Sequence, residues 1–283
     1  MAFLDLPAEY SDPQRSRYVV LPIGYEGTVS YEAGTADAPE AIIAASCQVE
    51  LFDEELGGEF YEPGIATHPP IESADTPAEQ IDRVRKVAEP IFRDGKFPLA
   101  LGGEHSVTVG MVRAAAEVMD DISVLILDAH GDLRDEYEGE KLSHACVAAR
   151  VLASTDKLCQ VGIRSYSREE YEAHPERVRS FITPALLESD PNWIARALDM
   201  LGGRVYVSVD IDALDPSIAP GTGTPEPGGL AWKQVLQLLR EVCSKREVVG
   251  ADVMEVRPLP PSRLTEFVAA RLAYKIIAYS QQS

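Results

Sequence analysis

The chain has 283 residues, 45% of them apolar and 25% charged, ordinary values for a globular protein with a sizeable core. There are 46 acidic and 26 basic side chains, a formal net charge of -20. This balance argues against nucleic acid or an anionic membrane as a partner, both of which call for a basic face, and mildly favours a cationic small molecule. The N-terminal MAFLDLPAEYSDPQ carries neither the basic nor the apolar region of a secretory signal, and no apolar run approaches the ~20 residues that span a bilayer. Cys47, Cys146, Cys159 and Cys243 are far apart and form no CxxC pair, so they read as reduced, buried thiols. The expectation is a cytoplasmic protein with a single domain over 1–283.

In chain order, residues 17–23 (RYVVLPI) predict a first strand. A helix follows over 76–95, with Thr76 as N-cap, Pro77 at the first helical position and Glu79 completing a capping box. Ile81, Val84, Ala88, Ile91 and Phe92 recur at helical spacing, and Gly95 sits where a C-terminal glycine belongs. Then come a strand over 97–101, a helix over 106–119, a strand over 122–128, a helix over 144–154 and a strand over 158–163. A helix over 190–201, a strand over 205–211, a helix over 230–246, a strand over 248–256 and a closing helix over 263–280 complete the pattern. Strands alternating with helices imply a mainly parallel sheet covered on both faces, and the continuous apolar strands suit that burial. In such sheets ligands bind beyond the carboxyl ends of the strands.

Those ends carry unusual chemistry. One reads PLALGGEHS, with Glu104, His105 and Ser106; the next ILDAHGD, with Asp128, His130 and Asp132. A third reads VSVDIDALDP, with Asp210, Asp212 and Asp215, and a fourth VVGADVMEVRP, with Asp252 and Glu255. Extended alternation would let Asp128, His130 and Asp132 converge, as well as Asp210 and Asp212. Aspartates packed together repel and are driven to protonate unless cations compensate them. Their charge matches two divalent ions, and His105 and His130 offer one nitrogen to each. Oxygen-rich ligation with some imidazole and no thiolate suits manganese, and suits zinc, cobalt, nickel or iron less well. Glu104 could orient a neighbouring ligand or be an early helix acid. Asp215 is expected to fix the turn after the aspartates, and Asp252 to support Glu255 or cap a turn.

The motifs GGEHS, DAHGD, SHACVAAR, SVDIDALDPSIAPGTGTPEPGG and DVMEV, in that order, resemble those of the ureohydrolases, the family of arginases and agmatinases, and most resemble agmatinase. The opening segment PIGYEGTVSYEAGTADAPEAI is similar too, so the likeness covers nearly the whole chain. It implies an arginase/deacetylase-like fold, a three-layer αβα sandwich around a mainly parallel sheet of about eight strands. It also implies two Mn2+ ions, one held by His105, Asp128, Asp132 and Asp210, the other by Asp128, His130, Asp210 and Asp212. On the same resemblance His144 is the proton shuttle, Glu255 pairs with the substrate guanidinium, and the chain assembles as a homo-oligomer, a trimer or hexamer.

The reaction so implied is hydrolysis of a guanidino amine, agmatine to putrescine and urea. An arginase, a guanidinobutyrase or an aminopropylagmatine ureohydrolase is the alternative, and a non-catalytic relative that binds metal or polyamine a lesser one. Arginases place a Ser-Gly-Asn-like segment before the shuttle histidine; here the segment reads DLRDEYEGEKLSH. Its acids Asp135, Glu136, Glu138 and Glu140 suit a distal ammonium better than a carboxylate. Gly131 stands where agmatinases commonly carry threonine and arginases alanine, which leaves the choice of substrate open.

Overall fold

Alternate residues of each strand feed two different cores. Tyr18 and Val20 face one way while Val19, Leu21 and Ile23 face the other; Leu99 and Leu101 oppose Ala100; Leu125 and Leu127 oppose Val124 and Ile126. That period of two, on strands whose interior residues are all buried, requires apolar cover on both faces. The cover on one face comes from the helices Ala38–Ser46, Trp193–Asp199, Trp232–Lys245 and Leu264–Tyr279. On the other it comes from Pro77–Arg93, Thr108–Val118 and Val147–Val151. The result is the expected three-layer αβα sandwich. The computed structural model describes residues 1–282.

In chain order the strands are β1 (Tyr18–Ile23), β2 (Phe52–Asp53), β3 (Gly58–Glu59), β4 (Ile65–Thr67), β5 (Phe97–Gly102), β6 (Ile122–Leu127), β7 (Leu158–Val161), β8 (Arg204–Asp210) and β9 (Glu247–Met254). Seven of them form one sheet in the order β4-β1-β5-β9-β8-β6-β7, every pair parallel, against an expectation of about eight. The other two, β2 and β3, make a separate antiparallel pair. β4 has only three residues, too few for its alternation to stand out from a Pro-rich stretch.

The helix Pro77–Arg93 begins with the predicted N-cap, the Thr76 hydroxyl accepting the Glu79 amide at 3.3 Å, without the reciprocal Glu79 bond of the expected capping box. It ends at Gly95, whose φ of +70° is cheap only without a Cβ. Its neighbour Thr108–Val118 crosses it at Gly110, where an added Cβ would stand 2.6 Å from the Ile81 carbonyl oxygen. The helix expected over 190–201 spans only Trp193–Asp199, and two others start late. The segment starting at Ser106 opens with a tight 3-10 turn, His105–Val107, and that starting at His144 with another, His144–Cys146. The first turn follows the end of β5 and the second closes the long loop after β6; in both a histidine is aimed inward before the helix starts.

Candidate active site

The four strands whose ends carry the acids and histidines, β5, β9, β8 and β6, are consecutive neighbours in the sheet. All run in one direction, so residues more than 100 apart in sequence meet at one edge. His105, His130, Asp132, Asp210, Asp212, His144 and Glu255 line a cleft of about 330 Å³, with Asp128 buried beneath. That volume lies within the range of small-molecule sites.

Convergence here does not come from extended alternation. β6 ends at Leu127 and Asp132 has φ +49°, in the left-handed region. Asp128 Oδ1 accepts the His130 amide at 2.6 Å, folding the chain back on itself. Likewise Asp210 Oδ1 accepts the Asp212 amide at 2.9 Å and Asp212 lies in the 3-10 turn Ile211–Ala213. Turns held by the aspartates themselves, rather than pleating, aim the side chains. Glu255 also has a positive φ, +59°. Such backbone in a non-glycine residue costs of order 1 kcal/mol and persists where the surroundings demand it.

His105 Nδ1 lies 3.2 Å from Asp128 Oδ2, 3.3 Å from Asp210 Oδ2 and 3.6 Å from Asp132 Oδ2. His130 Nδ1 lies 2.9 Å from Asp212 Oδ2 and 3.6 Å from Asp128 Oδ1. Two overlapping groups could therefore each hold a metal ion: His105 with Asp128 and Asp132, and Asp128 with His130 and Asp212. Asp128 belongs to both.

The hydrogen bonds behind His105 fit that use. Its Nε2 is 2.9 Å from Ser208 Oγ, and the Ser208 hydroxyl donates to Asp252 Oδ1 at 2.6 Å. The serine proton being committed, Nε2 must donate, which turns the Nδ1 lone pair toward the carboxylates. Nδ1 is buried and has no hydrogen-bond partner of acceptable geometry. A lone pair facing three carboxylates is repulsive unless a cation lies among them. Asp252 also accepts from Thr108 and Tyr206, so it supports His105 rather than Glu255.

The electrostatics agree. Burial raises Asp132 to about 7, with Asp128 adding, and raises Glu255 to about 8, with Glu104 adding. Burial also drives Asp210 well above the usual carboxylate range. Burial opposes charge on His130, but Asp212 and Asp128 outweigh it and lift it to about 12. The metal-free cluster therefore gathers protons, and divalent cations would satisfy the same demand for positive charge. His144 is shifted the other way: burial lowers it.

The acidic loop does not serve as expected. Asp135 is 2.7 Å from Arg150 and 3.6 Å from Lys141. Of this loop only Arg134 and Tyr137 reach the cleft, where Tyr137 packs edge-on against His144. The carboxylate at the cleft mouth is instead Glu32, 2.6 Å from Arg257. An exposed loop acid finds nearby basic partners, and composition alone could not separate the two cases.

Asp215 meets its expectation, accepting from Ser217, Gly228 and Gly229 and so closing the loop. Thr28, Ser208 and Arg164 escaped the sequence reading. Arg164 Nη2 donates to the carbonyls of Asp212 and Glu226, both at 2.7 Å, pinning two site loops together. Threonine, serine and arginine are too common to single out without their neighbours.

Comparison with known proteins agrees with this geometry. The profile described as "Arginase family" matches residues 16–278. An N(1)-aminopropylagmatine ureohydrolase of Synechocystis is 40% identical over 273 residues, 94% of this chain and 89% of that one. An agmatinase of Bacillus anthracis is 34% identical, covering 87% of this chain and 85% of its own. The crystal structure of agmatine ureohydrolase of Thermoplasma volcanium superposes with a TM-score of 0.89 at 37% identity, covering 97% of this chain and 94% of that one.

Proposed function

The chain belongs to the arginase family of ureohydrolases, binuclear metal enzymes that hydrolyse guanidino C–N bonds, and on that premise we propose that it is a manganese-dependent hydrolase of N1-aminopropylagmatine, releasing urea. The ligands on this reading are His105, Asp128, Asp132 and Asp210 for one ion and Asp128, His130, Asp210 and Asp212 for the other. The observation that carries it is the buried, unpartnered His105 Nδ1 aimed at three carboxylates at the end of a parallel sheet. Agmatine, the substrate favoured by sequence alone, is the second reading. It is supported by the agmatinase relative at 34% identity, against 40% for the aminopropylagmatine enzyme.

When bound, the two ions would supply a nucleophilic water of lowered pKa and Lewis-acid stabilisation of developing charge. The residues of the chain do the rest. Glu255, half-buried and with an oxygen accepting the His105 amide at 2.7 Å, would hold the guanidinium and orient its carbon for attack. A guanidinium is a poor electrophile, and the departing amine must be protonated as the C–N bond breaks. His144, at the cleft wall, would give up that proton. Tyr31, Glu32, Tyr166 and Thr224 border the mouth, where the polyamine tail would lie. Aromatic faces suit a chain of ammonium groups.

The test is urea release by manganese-loaded protein from aminopropylagmatine, agmatine, arginine and guanidinobutyrate. The expected order of kcat/KM places aminopropylagmatine first and agmatine second. Preference for arginine, or no urea from any of the four, would overturn the reading.

A further inference from the structure

His144 is held from behind by a threonine that is itself held by a buried carboxylate. Thr28 Oγ1 lies 3.0 Å from His144 Nδ1 and accepts the His144 backbone amide, also at 3.0 Å. Its own proton goes to Glu104 Oε1 at 2.7 Å. Glu104 is 1% exposed and acts only as an acceptor: the amides of Gly27 and Thr28 donate to Oε2, and the Ser106 hydroxyl shares Oε1 with Thr28.

A hydroxyl has one proton and two lone pairs. The Thr28 proton is committed to a carboxylate, the strongest acceptor within reach. One lone pair takes the His144 amide. The other can only take a proton from Nδ1. Ser143, the other hydroxyl near Nδ1, stands off at 3.4 Å. The hydrogen bonds therefore fix a tautomer that the ring by itself does not choose.

We propose that Thr28 and Glu104 are positioning residues for His144, keeping its Nδ1 protonated so that Nε2 alone exchanges protons with the departing amine. The role of Nε2 rests on the proton-donor reading above; the tautomer does not. In the neutral ring Nε2 is then a base. On taking up the proton released by the attacking water it becomes the acid that gives this proton to the amine, and the transient charge is felt by Glu104 through the Thr28 hydroxyl. The N–H to hydroxyl to carboxylate chain resembles the way a buried carboxylate orients a general-base imidazole elsewhere, with one hydroxyl interposed. Motion is limited too. The ring is gripped at Nδ1, its backbone is gripped by the same oxygen, and Tyr137 packs against it edge-on with ring centroids 5.8 Å apart.

Thr28→Val keeps the shape and removes the hydroxyl; Thr28→Ser keeps the hydroxyl. The tautomer is read by 15N NMR of the His144 ring in the full chain loaded with diamagnetic Mg2+. Catalysis is read as urea release by the manganese-loaded protein from aminopropylagmatine and agmatine. Wild type and T28S are expected to carry the proton on Nδ1, and T28V to move it to Nε2. T28V should lose roughly 10- to 100-fold in kcat with little change in KM, as general-acid catalysis is disabled, and T28S should recover most of it. If T28V fails to fold, Glu104→Gln with Ser106 intact is expected to give the same tautomer change. A wild-type ring protonated on Nε2, or a T28V ring still protonated on Nδ1, overturns the relay. Full activity in His144→Ala would overturn the proton-donor reading, while the NMR result for the relay would still stand.

Discussion

His105 Nε2 lies 2.9 Å from Ser208 Oγ, and the serine passes its own proton to Asp252. The pair sets which nitrogen of His105 faces the carboxylates. Ser208→Ala and Asp252→Asn are therefore expected to weaken the divalent ion that His105 would hold by about 10- to 100-fold. Competition with a chromophoric chelator measures this directly, without recourse to activity. Unchanged affinity in both variants would remove Ser208 and Asp252 from the metal's support.

The metal-free chain should lose stability as pH rises from about 5 to 9. Asp132, Asp210 and Glu255 have raised values, so the native state holds protons that the unfolded chain has already released. His105 and His130 are raised too, and the stability they add is full below their unfolded value and fades above it. In each case the native state binds more protons than the unfolded state, and stability falls with pH. Asp128 is lowered, but the stability it adds is lost only in strong acid, outside this window, and the lowered His144 opposes the trend only below its ordinary value, one group against five. Thermal unfolding with and without Mn2+ checks both halves: a falling Tm in chelator, and a rise on adding metal that grows with pH.

Gly131 lies against the wall of the cleft. A Cβ there would stand 3.1 Å from both Tyr166 Cβ and Glu170 Oε1. Gly131→Thr should push this wall outward, lowering stability by about 1–3 kcal/mol and raising KM for aminopropylagmatine more than for agmatine, whose tail is shorter. Asp135→Ala, in contrast, should leave both KM values within about twofold, since Asp135 pairs with Arg150 outside the cleft. A large KM change in Asp135→Ala would return the acidic loop to the substrate site.

Lys275 is 1% exposed on the closing helix and lies 2.8 Å from Asp53, which is fully buried, and 3.2 Å from Glu55. Lys275→Met keeps the bulk and leaves Asp53 uncompensated. Urea unfolding should show a loss of about 3–5 kcal/mol. Arg204→Met breaks an exposed pair with Glu247 and should cost no more than about 1 kcal/mol.

Much of this was legible without coordinates. Continuous apolar strands alternating with capped helices dictated a parallel sheet covered on both sides, because hydrophobic period and capping chemistry are local properties. The same locality placed His105, Asp128, His130, Asp132, Asp210, Asp212 and Glu255 just past strand ends. Their types and order carried the family resemblance. What composition suggested about the tail site did not hold: none of the acids of the 133–142 loop lines the cleft, and Asp135 pairs with Arg150 and Lys141. The substrate reading moved as well, since the relatives favour the longer polyamine over agmatine.

Only the tertiary structure decided which strands are neighbours, and so which acids meet. It also decided how they meet. Asp128 and Asp210 bend their own backbones by accepting the amides two residues on, an arrangement that strand periodicity does not describe. The partners of the two histidines were invisible for a simpler reason. Ser208 lies 103 residues from His105, and Thr28 lies 116 from His144. A hydroxyl is one of the commonest groups in any chain, and nothing in its local sequence says that a distant imidazole will give it a proton. Residue type determined what chemistry this protein could hold, and the packing of distant segments determined which protons and lone pairs face the cleft.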